Sequence, residues 1–485
     1  MTISNTLASA LSGLTAASRA AELVSSNIAN ATTPGYARRE LVVASRIVGT
    51  AGQGVQVVGV KRVENLPIIA DRRLAQAAAG DTDARTDFYQ KIETSIGTPD
   101  LAYSLSGRIS AFDTALTQAA SHPESEARLQ AVLNAAKGLA TGLNGMGKDV
   151  QSARLAADNE IDAQVTQLND GLSKVVELNV QIRRGWGLGQ DTSALLDMRQ
   201  QVLDRISSIV PLRVSDKGDG SIALYATGGA VLVDGAAAVF GFTKTNTIVP
   251  EMTQASGGLS GLTLNGRPIS SGGPSSVIRG GSLAAEFAVR DELGTEAQTQ
   301  LDAVARDLVE RFQASGLDAT RLPGDAGLFT DAGAAFDTAD EVGFAQRLAV
   351  NGAVDPAAGG ALWRLRDGLG ATVEGERGNN ALITDMRTAL TSLRAPGSGQ
   401  FIGGARSYSV LAGDFLSQVS SDLVSAQGQT AYSAARLDTF EQIEAQDGVD
   451  TDQETEMLLQ IEHAYAANAK VLKSVDEMIN LLMEL

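Results

Sequence analysis

The first thirty residues place apolar side chains in alternating steps of four and three along the chain. This heptad spacing predicts an amphipathic helix with a seam suited to a coiled coil. The charged residues in this stretch are Arg19 and Glu22, so most of the helix surface is small or apolar. We predict that the helix ends at Asn30, ahead of Pro34 and Gly35. The seam consists of Ile3, Leu7, Ala10, Leu14, Ala17, Ala21, Val24 and Ile28.

The last thirty residues carry a second heptad seam. Asp447-Gly448 predicts a turn before this helix, and Thr451 with Glu454 has the spacing of a capping box. The apolar stripe is too wide for a simple two-stranded coil, so we expect this helix to have neighbours on several sides. The seam consists of Leu458, Ile461, Tyr465, Asn468, Leu472, Val475, Ile479 and Leu482, with Val471, Met478 and Leu485 on one flank.

Helical spacing also covers much of the chain between these ends. Ala, Leu and Val recur at helical intervals, and residues 147–184 are long and well charged, as in an elongated bundle. Residues 314–380 are rich in Gly, Ala and Asp, and we predict loops and short elements there. The predicted helices span 82–120, 124–182, 191–209, 283–313 and 406–443.

The middle of the chain, from Pro211 to about Gly281, is rich in Gly, Ser, Thr and Val. This composition and its turn signals predict short strands, and residues 40–63 predict one more hairpin. The sequence therefore predicts a mostly α protein with a small inserted β-rich domain. The hairpin-type dipeptides are Asp219-Gly220, Asp234-Gly235 and Asn265-Gly266.

Amino-acid composition and charge limit the classes of protein to which this chain can belong. Of the 485 residues 44% are hydrophobic and only 4% are aromatic, so closely packed helices of Ala, Val, Leu and Ile must build the core. A formal net charge of −18 argues against a nucleic-acid partner. No stretch approaches the ~18 apolar residues of a membrane span, and no basic amphipathic helix indicates a membrane surface.

The chain contains no cysteine, which excludes disulfides, thiolate metal sites and thiol catalysis. Residues 1–18 contain no Lys or Arg and no unbroken apolar stretch, unlike a cleaved secretory signal. We therefore expect a soluble protein that either stays inside the cell or leaves by a route without a cleaved signal.

Two histidines offer little chemistry. His122 precedes Pro123 between two predicted helices, and His463 lies beside Glu462, away from the seam. Neither has a nucleophile or metal ligand at recognisable spacing. We expect a loop position for the first and a surface or interface position for the second.

Glycine-rich stretches are better explained as turns than as ligand loops. Residues 49–54 lack the glycine order of a dinucleotide loop and the Lys of a phosphate loop. Residues 216–220 lack the remaining ligands of a calcium loop. We expect no enzyme activity, no cofactor and no metal. A secreted cell-wall hydrolase, the alternative from another class, would need a catalytic cluster within 211–282 or 314–380.

Two terminal motifs resemble a known family. The string SSNIANATTPGYARRE at 25–40 resembles the N-terminal signature of flagellar rod, hook and hook-associated proteins, and the last thirty residues resemble their closing helix. Segments 195–235 and 283–313 are similar to the hook-associated members. The signature core is Asn27, Ile28, Ala29, Asn30, Thr33, Pro34, Gly35 and Tyr36.

The resemblance implies an elongated, multidomain axial protein whose terminal helices pair as a coiled coil. The implied inner domain is 1–35 with 448–485, and its two seams form the assembly interface. A helical-bundle body would comprise 36–210 with 283–447. The β-rich segment 211–282 would project outward.

The resemblance also implies a function and partners. The chain would form an adaptor ring between the flagellar hook and filament, needed for filament assembly. Its partners would be further copies of itself, the hook protein, a second junction protein next to the filament, and an export chaperone on the C-terminal helix. It would lie outside the cell, exported through the flagellar type III channel without cleavage. The nearest alternative is the hook protein or another axial subunit.

Overall fold

The computed structural model describes residues 3–48, 51–273, 276–401 and 404–483. Apolar residues at helical spacing fold into helices over most of this length, as the sequence predicts. The helices are α1 (Ile3–Ala29), α2 (Leu66–Ile96), α3 (Leu105–Ser121), α4 (Glu126–Gly187), α5 (Ser193–Ser207), α6 (Ser282–Ala288), α7 (Gly294–Gln313), α8 (Phe344–Arg347), α9 (Arg364–Asp367), α10 (Ala381–Thr391), α11 (Tyr408–Gln446) and α12 (Thr451–Met483).

The described strands form small antiparallel sheets, ordered β1-β2, β3-β4-β5-β6, β7-β8-β9 and β10-β11. The predicted turns are confirmed: Gly220 and Gly235 have positive φ, and Asn265 and Gly266, at φ 52° and 76°, join β8 to β9. The strands are β1 (Arg39–Val48), β2 (Ala51–Arg62), β3 (Leu212–Asp216), β4 (Ile222–Ala226), β5 (Val231–Asp234), β6 (Ala236–Ala237), β7 (Phe240–Gly241), β8 (Thr263–Leu264), β9 (Arg267–Pro268), β10 (Phe329–Asp331) and β11 (Leu348–Val350).

The longest helix, α4, has 62 residues. At 1.5 Å per residue it is about 93 Å long, which makes the molecule elongated. Its N-terminal half lines a hydrophobic core with Phe112, Phe312 and Phe329. Its C-terminal half lines a second core with Ile206 of α5 and Leu224 of β4. The helix α4 therefore lines both hydrophobic cores.

A polar layer on α4 separates the two cores. Arg154, fully buried, donates to the carbonyl oxygens of Arg290 (2.8 Å) and Met252 (2.6 Å). Arg290, also fully buried, donates from Nη1 to Asp158 Oδ1 at 2.7 Å. Asp158 accepts in addition from the Thr245 amide at 2.7 Å. These bonds join α4, the β-rich segment and the chain after α6 in one network.

The helices α2 and α11 pack antiparallel beside this arrangement. Arg72 near the start of α2 pairs with Glu444 near the end of α11. The hydroxyls of Thr86 and Thr430 lie 2.9 Å apart further along. The predicted turn at 447–448 follows α11 and leads directly into α12.

One helix prediction is wrong in detail, whereas the helix predicted over 283–313 is confirmed, with helical structure throughout 282–313. The segment predicted as helix over 82–120 forms two helices. The first, α2, begins earlier, at Leu66, and ends at Ile96, and α3 follows from Leu105. The cause of this break is Gly97, at φ 73°, followed by Pro99. Ser104 then caps α3 by accepting from the Gly107 amide at 3.0 Å. The confirmed helix over 283–313 includes a π-turn between α6 and α7.

The predicted capping box at the start of α12 is also wrong. The Asp450 carboxylate caps this helix, accepting from the amides of Asp452 (2.9 Å) and Gln453 (3.2 Å). Glu454 is instead buried against α1. The short elements between α7 and α11 agree with the prediction of loops, but α10 was not predicted.

The three-domain division stays a prediction. The β-rich segment 211–282 shares its apolar core with α4 and α5, since Leu224 and Leu232 cluster with Leu168 and Ile206. Replacing the segment would therefore expose apolar surface on both helices. Within the described residues, no helix is long and apolar enough to cross a membrane.

The polar layer generates the first prediction. Asp158→Ala removes the acceptor of Arg290 Nη1 and of the Thr245 amide, while Arg290 keeps its ion pair with Asp291. It should therefore lower the free energy of unfolding by about 1–3 kcal/mol. Asp162, one turn further along α4, pairs with Lys244 at a largely exposed site. Asp162→Ala should therefore cost less than about 1 kcal/mol. Denaturant unfolding of both variants measures the difference, and equal losses would contradict a special role for the layer.

Candidate functional site: the terminal helix pair and its anchor

The terminal helices α1 and α12 pack against each other in antiparallel orientation. Asn27, near the end of α1, contacts Glu454, near the start of α12. Halfway along, a Cβ at Gly13 would lie 2.8 Å from the Asn468 amide. Glycine at position 13, beside the α1 seam, thus allows the two helices to approach closely. We call α1 and α12 the terminal helix pair.

The predicted N-terminal seam divides by burial. Ala10, Ala17 and Val24, spaced by seven, are fully buried. Leu7 is exposed, and its neighbour Leu11 one turn away is more so. The remaining predicted residues, Ile3, Leu14, Ala21 and Ile28, are half-buried.

The predicted C-terminal seam is less covered. Val475 is buried, at 1% exposure, while Tyr465 and Leu482 are 49% and 60% exposed. Leu458, Ile461, Asn468, Leu472 and Ile479 are half-buried. On its flank, Met457, Ala464, Val471 and Met478 recur every seven residues and are all exposed. We call these four the outer strip; Leu485, predicted to widen this flank, lies outside the described residues.

The β1-β2 hairpin covers a second side of α1. The Val55 amide donates to Ser12 Oγ at 3.1 Å. Gly54, at φ 89°, approaches so closely that a Cβ there would lie 2.9 Å from Ser9 Cα. The predicted hairpin over 40–63 is confirmed, although Gly49 and Thr50 at its tip lie outside the described residues.

Asn27 uses its whole amide group inside the protein, at 1% exposure. Its Nδ2 donates to Glu454 Oε2 and to the Arg39 carbonyl oxygen, both at 3.0 Å. Its Oδ1 accepts from the Tyr36 hydroxyl at 2.9 Å and from the Arg39 amide at 3.0 Å. A side chain that must donate twice and accept twice has to be an amide.

The rest of the signature shapes the loop after α1. Gly35 takes φ 75°, which favours glycine, and the Pro34 carbonyl accepts from Gln201 of α5 at 2.8 Å. Asn30 Nδ2 donates to the Ser26 carbonyl at 2.9 Å. Thr33 Oγ1 lies 3.3 Å from Asn30 Oδ1. Ile28 is half-buried, and Ala29 is exposed.

A carboxylate on α5 fixes the hairpin to the helical body. Asp197 accepts from Arg39 Nη2 at 2.6 Å, and from Arg62 Nε at 3.0 Å and Nη2 at 2.7 Å. Arg39 and Arg62 face each other in the hairpin register. One carboxylate thus holds the base of both strands. We call Asn27, Tyr36, Arg38, Arg39, Arg62, Asp197 and Glu454 together the Asn27 junction.

Sequence reasoning found Asn27 and Tyr36 but missed the charged members of this junction. The local spacing predicts a helix cap for Glu454, and no local pattern distinguishes Asp197 from other residues of its helix. The available signal was Arg38-Arg39 directly after the signature, a basic pair in an acidic chain. Its carboxylate partners are distant in sequence, so no local spacing indicates them.

Charges around the junction are partly buried. Burial and the neighbouring Arg62 lower the pKa of Arg199 to about 10, so this guanidinium remains protonated at neutral pH. Burial raises the pKa of Glu64, although Arg62 opposes the shift. Arg199 donates to Asn179 Oδ1 at 2.9 Å and to the Gly220 carbonyl at 2.7 Å, which links α5 to the β3-β4 turn.

The perturbed carboxyls have structural surroundings. Burial raises the pKa of Asp302 to about 6, yet its oxygens accept from the amides of Gly343 (2.7 Å) and Ala345 (2.8 Å). Burial, followed by the charge of Glu160, raises the pKa of Glu286 to about 7 beside a cavity of about 240 Å³. Within the described residues no group of three or more His, Asp or Glu side chains could hold a metal.

The histidines lie at the surface. His122 ends α3, and its Nδ1 is 3.1 Å from Glu124 Oε1. His463 is exposed on α12. The segment 216–220 is the turn between β3 and β4, as predicted, with Asp219 Oδ1 accepting from the Ser221 amide at 2.9 Å.

Comparison with known families matches two parts of the chain. Residues 89–329, about half of the chain, match the family described as Flagellar hook-associated protein FlgK helical domain. Residues 7–36, which hold α1 and the signature, match the Flagella basal body rod protein family. The two matches thus cover the terminal signature and the helical body.

Individual relatives agree with these matches. Flagellar hook-associated protein 1 of Salmonella typhimurium is 28% identical over 318 residues, covering 63% of this chain and 55% of that protein. Its counterpart in Escherichia coli is 26% identical over 558 aligned positions that span both chains fully. A solved structure, the flagellar hook junction protein FlgK from Burkholderia pseudomallei, is 22% identical with a TM-score of 0.43, covering 54% of this chain and 46% of that one.

Paired terminal helices, the buried signature asparagine and the rod-family match together define an axial-type flagellar protein. The match over 89–329 and the similar relatives identify the member of this class: the chain belongs to the flagellar hook-associated protein 1 family. The match to the Salmonella relative spans little more than half of that protein's length.

The helix pair generates the second prediction. Val475→Asp places a charge at a site with 1% exposure, so α12 should detach from α1. Amide hydrogen exchange in α1 should then accelerate at least about tenfold, which corresponds to roughly 1.4 kcal/mol. Ser474→Asp, at the adjacent exposed position, is the matched control and should leave exchange unchanged. Slow exchange in both variants would contradict the pairing.

Proposed function

We propose that this protein is a structural subunit of the bacterial flagellum that forms the adaptor ring between hook and filament. The observation that carries the proposal is the outer strip of α12, where Met457, Val471 and Met478 stay exposed at heptad spacing. A regular apolar strip on a helix that is already paired requires a further partner. Neighbouring copies, each presenting the same helix pair, would supply it.

The seam residues support the same role. Tyr465 and Leu482 belong to the predicted C-terminal interface yet remain half or more exposed in one chain. Leu7 and Leu11 expose apolar surface on α1. We propose that these positions become buried between subunits, while Ala10, Ala17 and Val24 serve the contact within one chain.

The proposed function is mechanical and includes no catalysis. Asp302 and Glu286, the carboxyls whose pKa burial raises to about 6 and about 7, lie outside 211–282 and 314–380, where a cell-wall hydrolase would need its cluster. Asp302 in addition holds a backbone turn. The match over 89–329 favours a hook-associated protein over a hook protein.

We further propose three layers along the ring radius. The inner layer is 1–35 with 448–485, the middle is the helical body 36–210 with 283–447, and 211–282 faces outward. The proposed neighbours are the hook protein on one side and a second junction protein on the filament side. The subunit would reach this place outside the cell through the flagellar export channel, without cleavage.

A strain that lacks this chain tests the function. Under the proposal it makes hooks but sheds flagellin unpolymerised into the medium, and the full-length chain restores filaments. Filaments of normal length on the deletion strain would contradict the proposal. Absence of hooks would instead favour a role as hook protein or as an earlier axial subunit.

The outer strip generates the third prediction. Val471→Asp and Met478→Asp should abolish filament formation in the complemented strain, because a charge in the strip opposes burial between subunits. Amide exchange in α1 should stay at the parent rate, since both side chains are exposed in the single chain. Asn480→Asp, an exposed polar position on the same helix, is the control and should support filaments. Filaments in the strip variants would contradict the assembly role.

The export step generates the fourth prediction. We propose that a small dedicated chaperone covers α12 before secretion, because its apolar surface would otherwise be bare in the cytoplasm. Pull-down with the full-length chain should recover the chaperone, and pull-down with residues 1–447 should not. Equal recovery by both would place the chaperone elsewhere on the chain.

A further inference from the structure

We propose that the Asn27 junction couples docking of α12 to the direction in which the terminal helix pair leaves the helical body. The junction joins four segments, namely α1, the start of α12, the β1-β2 hairpin and α5. No other seam contact described above reaches beyond the helix pair and the hairpin. The inference concerns contacts within one chain.

The first step of the coupling runs from α12 to α1. Glu454 is 1% exposed and presents both carboxylate oxygens to the junction. Oε2 accepts from Asn27 Nδ2 at 3.0 Å, and Oε1 lies 3.5 Å from Arg38 Nη1. Without α12 in place, one Asn27 N–H and the Arg38 guanidinium lose these acceptors.

The second step runs from α1 to the hairpin. Asn27 accepts from the Arg39 amide and donates to the Arg39 carbonyl, each at 3.0 Å. This pair of bonds imitates a residue pair in an antiparallel ladder, so the side chain of α1 acts as a neighbouring strand for the first residue of β1. The Tyr36 ring, whose hydroxyl also binds Asn27, stacks with the Arg39 guanidinium 4.8 Å from its centroid.

The third step runs from the hairpin to the body. The backbone of Arg39 binds α1, while its guanidinium binds Asp197 of α5. Arg62, its partner in the hairpin register, binds the same carboxylate. Because the first two steps share Asn27 and the last two share Arg39, a change at Glu454 alters bonds that lead to Asp197. Such a hydrogen-bonded network is more strongly coupled than separate pairs.

The amide at position 27 is essential to this coupling. An aspartate there would accept bonds but donate none, so it would oppose the Glu454 carboxylate across the interface. Exchanging Glu454 for glutamine in that background restores a donor–acceptor pair. Asn27→Asp should therefore uncouple the junction, and the double variant Asn27→Asp, Glu454→Gln should recover part of the coupling.

The lack of native cysteine allows a direct test with pairs of introduced cysteines carrying spin labels. One pair, Ser18→Cys with Lys174→Cys, spans the junction from an exposed site on α1 and a partly exposed site on α4. The other, Ser18→Cys with Ser474→Cys, spans the terminal helix pair. In the full-length parent chain both pairs should give one narrow distance distribution. Asn27→Ala, Glu454→Ala and Asp197→Ala should broaden the junction distance and leave the helix-pair distance narrow.

Glu462→Ala, an exposed carboxylate on α12, is the matched control and should change neither distance. Broadening of the junction distance in Asn27→Asp and its partial reversal in the double variant give a second readout. Lost packing alone would not produce this reversal. Glu454→Ala removes only the bonds of Glu454 to Asn27 and Arg38, so it remains informative even if Asp197→Ala impairs folding. A broad junction distance in the parent chain, or a narrow one in Asn27→Ala and Glu454→Ala, would overturn the proposal. Equal broadening of both distances would also overturn it, because the variants would then act on helix pairing.

Discussion

The rest of the structure depends on the 62-residue helix α4, because both hydrophobic cores pack against it. Short helices and strands elsewhere have too little apolar surface to form independent cores. They become stable by covering one half of α4 or the other. The buried layer of Arg154, Asp158 and Arg290 lies where the two halves meet. Its hydrogen bonds join α4 at this point to the chain after α6 and to the β-rich segment.

The terminal helix pair follows a different physical rule. Its residues belong to neither core, and most of its stability must come from packing of one long amphipathic helix on another. Gly13 and the alanines of α1 permit a close approach but contribute little buried apolar area. The pair is therefore the part of the chain whose order depends most on what surrounds it. The hairpin and the Asn27 junction compensate by holding one end of the pair with hydrogen bonds.

Local chemistry explains which features the sequence predicts. The Asn265-Gly266 turn, the end of α1 and the hairpin over 40–63 each follow from residues within a few positions of one another. The helix seams also follow from local spacing, although not the choice of which positions stay exposed. Burial of Ala10 rather than Leu7 depends on the antiparallel register, which Asn27 and Glu454 set from 427 positions apart.

Long-range partners explain what the sequence does not predict. Thr451 and Glu454 have the spacing of a capping box, but Asp450 supplies the cap and frees Glu454 to bind α1. Asp197 has the appearance of an ordinary helix residue, and only the folded hairpin brings Arg39 and Arg62 to it. Gly97 and Pro99 together indicate a break between two helices. The regular Ala and Leu spacing on both sides instead predicts one continuous helix.

Because α4 is long, a small change of angle at one end produces a large displacement at the other. Asp197 lies on α5, which packs beside the C-terminal part of α4, so the Asn27 junction is close to one end of the rod. The opposite end, near Glu126, is roughly 85 Å away at 1.5 Å per residue. Each degree of tilt at the junction would therefore displace that far end by about 1.5 Å, half the length of a hydrogen bond. In the proposed ring such angular errors would add up from one subunit to the next, so the hydrogen bonds of Asn27 would limit the error in the radius of the ring.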